Sequence, residues 1–120
     1  MIGPEPSQKF ITLLASDTEF AQQVLEAGPT LCVCDIYSAY FGPCTALGKK
    51  LLNMSGDLMD YDVKWCEVKA EKCALFEGQR GKSRPLLALY KNGQEIDRMT
   101  EANPNVFERL VMQHAVKKPE

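Results

Sequence analysis

Phe41-Gly42-Pro43-Cys44 is the one stretch whose spacing approaches a Cys-x-x-Cys dithiol, and its first position carries a phenyl ring instead of a sulfur. A phenyl ring has no lone pair, acidic proton or redox couple, so the stretch offers a single thiol. Four further cysteines, Cys32, Cys34, Cys66 and Cys73, bring the total to five. The count is odd, and Cys32 and Cys34 would share one face of a strand. This pattern reads as free thiols acting as small hydrophobes in a reducing compartment. The only histidine, His114, lies far along the chain, and no Cys/His spacing suits zinc. No metal and no cofactor is expected. The basic doublets Lys49-Lys50 and Lys117-Lys118 lack interleaved aromatics, and the formal net charge is −2, which excludes a nucleic-acid footprint.

The elements that must position this stretch follow from periodicity and breakers. Lys9 to Ala15 reads as a short strand, and Ser16 or Asp17 as the N-cap of a helix carrying Phe20, Val24 and Leu25. Gly28-Pro29 ends that helix. Leu31 to Tyr37 is almost wholly apolar, as in a central strand covered on both faces. Pro43 suits the first turn of the next helix, whose apolar stripe is Leu47, Leu51, Met54, Leu58 and Met59. Val63, Trp65 and Val68 alternate as a strand, with Trp65 read as core. Glu71 to Glu77 reads as a short helix and Pro85 to Tyr90 as a strand. Asn92-Gly93 predicts a two-residue hairpin into Glu95 to Met99. Ala102 or Asn103 starts a last helix that turns Val106, Leu110, Val111 and Ala115 inward.

The order β-α-β-α-β-α-β-β-α predicts an α/β fold. Helix-separated early strands are parallel with right-handed crossovers, and the closing hairpin supplies an antiparallel edge. A length of 120 residues fits a single domain, 1–120, with its core over about 9–116 and frayed ends at 1–7 and 117–120. Apolar residues make up 45% and charged residues 25%, ordinary values for a soluble protein. No apolar run approaches the ~18 residues of a membrane span, and residues 1–6 lack the basic and apolar regions of a signal peptide. A cytoplasmic protein without membrane insertion is expected.

Val33-Cys34-Asp35-Ile36-Tyr37, followed by Tyr40-Phe41-Gly42-Pro43-Cys44, resembles the strand and active-site segment of thioredoxins, V-D-F-x-A-x-W-C-G-P-C. Ser83-Arg84-Pro85, the strand after it and Asn92-Gly93 are similar to the family's proline segment and hairpin. Ala102-Asn103-Pro104 resembles the start of its last helix. The resemblance implies the thioredoxin fold, a mixed central sheet flanked by helices on both faces. Arg80 to Tyr90, together with Asp-Ile-Tyr in the central strand, further resembles thioredoxin-like modules of ciliary axonemes. These include the light chains and an intermediate chain of outer-arm dynein.

Within that resemblance, Phe41 stands where the attacking cysteine belongs, and Cys44 corresponds to the resolving cysteine. Dithiol exchange needs both sulfurs, so no enzyme is expected. A helix first turn at Cys44 would lower its thiol pKa and leave monothiol reactivity or redox sensing conceivable. Asp35 matches the family's buried acid, which has no mixed disulfide to resolve here. Pro85 matches the family's cis proline, whose neighbour, here Arg84, pairs with an extended bound peptide. Tyr40 replaces a tryptophan. Tyr40, Phe41, Gly42, Pro43, Arg84 and Pro85 therefore outline a binding groove. Two readings of the aromatic pair stay open: tucked into the fold, or exposed as an apolar contact. The function implied is a redox-inactive protein-interaction module in a cilium or flagellum. Its partners would be dynein heavy or intermediate chains or docking subunits. The alternative is a monothiol oxidoreductase or redox sensor acting through Cys44.

Overall fold

The computed structural model describes residues 6–119. The expectations for residues 1–5 and 120 lie outside the described residues. The strands are β1 (Thr12–Leu14), β2 (Leu31–Tyr37), β3 (Val63–Lys69), β4 (Leu86–Lys91) and β5 (Gln94–Met99). The helices are α1 (Asp17–Phe20, continuing with a wider turn over Ala21–Leu25), α2 (Gly48–Asp57, entered through the tight turn Thr45–Leu47) and α3 (Pro104–His114). Two short 3₁₀ turns, Ala70–Lys72 and Ala74–Gln79, stand where a helix over Glu71 to Glu77 is expected.

The sheet order is β1-β3-β2-β4-β5. β3 runs parallel to both β1 and β2, β4 runs antiparallel to β2, and β5 antiparallel to β4. β2 is central and buried along its whole length. The period of two along β2 divides the core. Leu31 and Val33 face α2 and α3 together with Leu51, Trp65 and Phe107. Cys32, Cys34 and Ile36 face the other side with Phe20, Val24, Cys66 and Cys73. All five cysteines are free and buried, so the thiols at 32, 34, 66 and 73 act as packing atoms. Trp65 is in the core, as its strand pattern predicts.

Local chemistry sets the boundaries. The Ser16 side chain accepts from the Glu19 N–H and starts α1. The Asn103 side chain accepts from the Asn105 and Val106 N–H groups, with Pro104 in the first turn of α3. The β4–β5 turn places Asn92 at φ 54° and Gly93 at φ 77°, the left-handed pair that a two-residue hairpin requires.

Several expectations are corrected. β1 covers only Thr12–Leu14 rather than Lys9 to Ala15. Met59 lies beyond α2 and is exposed, because the helix ends at Asp57 and only Leu58 turns inward. Both described ends make contacts with the body of the domain. The Ser7 N–H and hydroxyl both donate to the buried Glu67 carboxylate. Residue 117 pairs with Tyr61, and the Lys118 N–H donates to the Asp60 carbonyl. Pro43 does not open a helix: Cys44 is extended at φ −67°, ψ 101°, and helical geometry begins at Thr45. Among the described residues no helix is long and apolar enough to cross a membrane.

Candidate functional site

The loop that leaves the carboxyl end of β2 carries Tyr40 and Phe41 into solvent, where they are 86% and 55% exposed. These values settle the two readings of the aromatic pair in favour of exposure. The loop is nonetheless tightly held. The N–H groups of Phe41 and Gly42 both donate to the Ser38 carbonyl, at 3.0 and 3.1 Å. Gly42 sits at φ 76°, a left-handed conformation that glycine adopts without strain, which turns the chain into Pro43.

Ser38 and Glu71 tie this loop to the one over residues 80–84. The Ser38 hydroxyl donates to Glu71 at 2.6 Å and accepts from the Gly81 N–H at 3.0 Å. The Ala39 N–H donates to the other Glu71 oxygen at 2.7 Å. These donors, the Ser38 hydroxyl foremost, hold the Glu71 carboxyl below its ordinary range. Arg80, though exposed, folds its guanidinium back to donate to the Ala70 carbonyl at 2.8 Å. Ser38→Ala removes two of these bonds at a buried position. It is expected to cost about 1–2 kcal/mol in urea unfolding, since the Gly81 N–H and one Glu71 oxygen lose their partner.

Beneath the aromatic loop, Cys44 is 8% exposed. Burial raises its thiol pKa, outweighing the opposing hydrogen bonds from the backbone of Leu47 and Ala46. This corrects the expectation of a lowered value: the residue precedes the helix and is desolvated. Asp35 lies behind it. Its Oδ2 accepts from the Cys44 N–H at 2.9 Å, while Oδ1 has no partner. Burial, reinforced by the neighbouring Glu67, pushes the Asp35 carboxyl up to about 7 even though the Cys44 N–H opposes the shift. Asp35 therefore anchors the backbone at Cys44 and keeps the chain extended there. Asp35 and Glu67 stand opposite each other in the β2–β3 register and line a cavity of about 10 Å³ with Val33, Leu51, Trp65 and Phe107.

Two clefts flank Cys44. One, of about 300 Å³, is lined by Cys44, Arg84, Pro85, Leu87, Thr100, Glu101 and Ala102. The other, of about 360 Å³, lies between Pro43-Cys44, the start of α2 and the amino-terminal Ser7-Gln8 segment. The structure thus places Pro43, Arg84 and Pro85 in clefts that share Cys44, with Tyr40, Phe41 and Gly42 on the loop that leads into Pro43. No cis peptide bond occurs among the described residues, so Pro85 is trans, contrary to the resemblance. The Arg84 carbonyl accepts from the Gln79 side chain and is already occupied. Sequence reasoning misses Ser38, Glu71 and Glu67, whose residue types carry no signal without their contacts. Phe107 of α3 is 1% exposed and lines the same small cavity.

A thioredoxin family model matches residues 11–113, most of the chain. The chain belongs to the thioredoxin family. Its relatives include the Dynein 14 kDa light chain, flagellar outer arm, of Chlamydomonas reinhardtii, 26% identical over 110 residues. That match covers 92% of this chain and 85% of the relative. The Dynein 16 kDa light chain, flagellar outer arm, of the same organism is 34% identical over 100 residues, covering 80% of this chain and 64% of the relative. A solved thioredoxin of Nicotiana alata superposes with a TM-score of 0.73 at 19% identity, covering 95% of this chain and all of that one. This thioredoxin-family chain is thus homologous to flagellar dynein light chains and shares its fold with thioredoxins.

Proposed function

We propose that this chain is a redox-inactive, thioredoxin-fold subunit of an axonemal dynein or related ciliary assembly, and that it docks its protein partner on the Tyr40–Phe41 face. The observation that carries this reading is Phe41. A half-exposed phenyl ring stands at the first position of the Cys-x-x-Cys-like stretch, on a loop held by Ser38 and Glu71. An apolar ring exposed to water gains free energy on being covered, and a loop backbone already fixed by hydrogen bonds loses little conformational entropy when a partner does so. The two dynein light-chain relatives support an axonemal location, with a heavy chain, an intermediate chain or a docking subunit as partner. Against the enzymatic alternative, Cys44 is buried, its thiol pKa is raised, and no second cysteine lies three residues before it. Its thiolate fraction at neutral pH is correspondingly small.

Phe41→Asp tests this reading. It is expected to weaken co-sedimentation with ciliary outer-arm dynein by about 2 kcal/mol, roughly thirtyfold, as for a hot-spot residue. Thermal stability should stay within a few tenths of a kcal/mol, as for surface substitutions generally. Normal stability with undiminished binding would place the interface elsewhere. A parallel assay of disulfide reduction, with a chemical dithiol as electron source, is expected to give background rates for both the natural chain and Cys44→Ser. Turnover lost in Cys44→Ser would overturn the redox-inactive reading.

A further inference from the structure

The two clefts beside the aromatic loop carry more cations than carboxylates, although the whole chain carries a net charge of −2. Arg84 lines the cleft on one side of Cys44, and Lys49 lines the cleft on the other. Lys82 is exposed in the same loop as Arg84, one residue after the Gly81 N–H that bonds Ser38. None of these three cations makes a salt bridge or side-chain hydrogen bond among the described residues. Some cations elsewhere are engaged, Lys50 with Glu108, Arg98 with Glu95 and Arg80 with backbone carbonyls, while Lys9, Lys69, Lys72 and Arg109 also lack a side-chain partner among the described residues. What sets Lys49 and Arg84 apart is their place at the two clefts, and Lys82 its place in the loop that carries Arg84. The carboxylate supply at the face is small. Glu101 is the only one lining either cleft, and Glu71 beside the loop already accepts from Ser38 and Ala39.

We infer that the segment docking on this face is an acidic stretch of the partner protein, with carboxylates on both sides of an apolar or aromatic residue. The inference rests on the reading above that this face is a docking surface. A central apolar residue covers Phe41 and Tyr40. Flanking carboxylates reach Arg84 in one cleft and Lys49 in the other, with Lys82 adding attraction along the approach. A basic segment would meet an uncompensated Lys49 in one cleft and Arg84 beside Glu101 in the other, with Lys82 adding like charge along the approach, which disfavours it relative to an acidic one. Because the three cations are solvent-exposed, their contribution is screened by salt and acts on selection and encounter more than on tightness.

The test uses the full chain and two short fluorescent peptides, each with one central phenylalanine. It is flanked by Asp and Glu in one peptide and by Asn and Gln in the other. By fluorescence anisotropy the acidic peptide is expected to bind about tenfold more tightly at about 50 mM salt, with the preference shrinking severalfold at about 300 mM. The double variant Lys49→Glu/Arg84→Glu should erase or invert the preference. Phe41→Ala should weaken both peptides alike. Equal affinity for the two peptides, or a preference that survives charge reversal, overturns the inference. If in that case both peptides are still lost in Phe41→Ala, the docking face stands and only its acidic partner falls. Binding of neither peptide also overturns the inference, and co-sedimentation of Phe41→Asp with dynein then judges the docking face independently.

Discussion

Asp35→Asn is expected to leave stability nearly unchanged at about pH 4 and to raise it at neutral pH. The folded Asp35 carboxyl titrates at about 7 against 3.8 in its ordinary state, because burial disfavours the charge and Glu67 opposes it from the adjacent strand. The folded chain therefore holds this proton over a range in which the unfolded chain has released it. Stability falls with rising pH wherever the native state binds more protons. The loss begins near the unfolded value and is complete as pH rises through the folded one. At about 1.4 kcal/mol for each pH unit between those two values, the loss reaches at most about 4 kcal/mol. Asparagine preserves the shape and an acceptor for the Cys44 N–H but carries no titrating proton. At acidic pH both side chains bury a neutral group with one unpartnered atom, so they compare closely. At about pH 7 the variant should gain at least about 1 kcal/mol, the opposite of the usual effect of a buried substitution. Urea unfolding at the two pH values decides it. A variant less stable at neutral pH would mean that Asp35 is ionised and well paired.

Phe107→Ala should be the most damaging single change near the site, at about 3–5 kcal/mol, the range for removing a buried aromatic ring. Phe107 is 1% exposed and lines the small cavity shared by Asp35, Glu67, Leu51 and Trp65. Its loss does more than remove apolar contact. The enlarged cavity has a carboxyl group on its wall, so it is polar enough to hold water. Water there would solvate Asp35, lower its pKa toward the ordinary value and flatten the pH dependence of stability. Phe107→Ala and Asp35→Asn are therefore expected to be non-additive, with a coupling of about 0.5–3 kcal/mol in a double-mutant cycle at neutral pH. Strict additivity would mean that the cavity collapses without hydrating Asp35.

Much of the architecture can be read from the chain because the local and global preferences agree. The seven residues from Leu31 to Tyr37, apolar but for Asp35, could hardly occupy an edge, and β2 is the central strand. Asn92-Gly93 and Asn103-Pro104 carry their turn and cap chemistry in the residues themselves. The start of α2 is illegible for the opposite reason. Pro43 suits a helix first turn, yet Gly42 at φ 76° and the Asp35 carboxyl on the Cys44 N–H hold the backbone extended past it. A tertiary contact nine residues away in the chain overrides the local preference, and spacing alone carries no trace of it. The same holds for Ser7 on Glu67 and for Ser38 between Glu71 and Gly81, where partners lie 33 to 60 residues apart. Exposure of Tyr40 and Phe41 is likewise undecidable from sequence, since an aromatic in a loop obeys no periodicity.

Trp65 is the only tryptophan in the chain, and it forms one wall of the cavity that holds Asp35 and Glu67, with Phe10 edge-on at 6.3 Å. An indole beside a titrating carboxyl senses the local field, so its emission reports the ionisation of that carboxyl without any label. Titrating the folded protein while recording Trp65 fluorescence should trace a single inflection near neutrality, and that inflection should vanish in Asp35→Asn. The interior of this domain thus carries its own optical electrode, placed behind the loop that bears Tyr40 and Phe41.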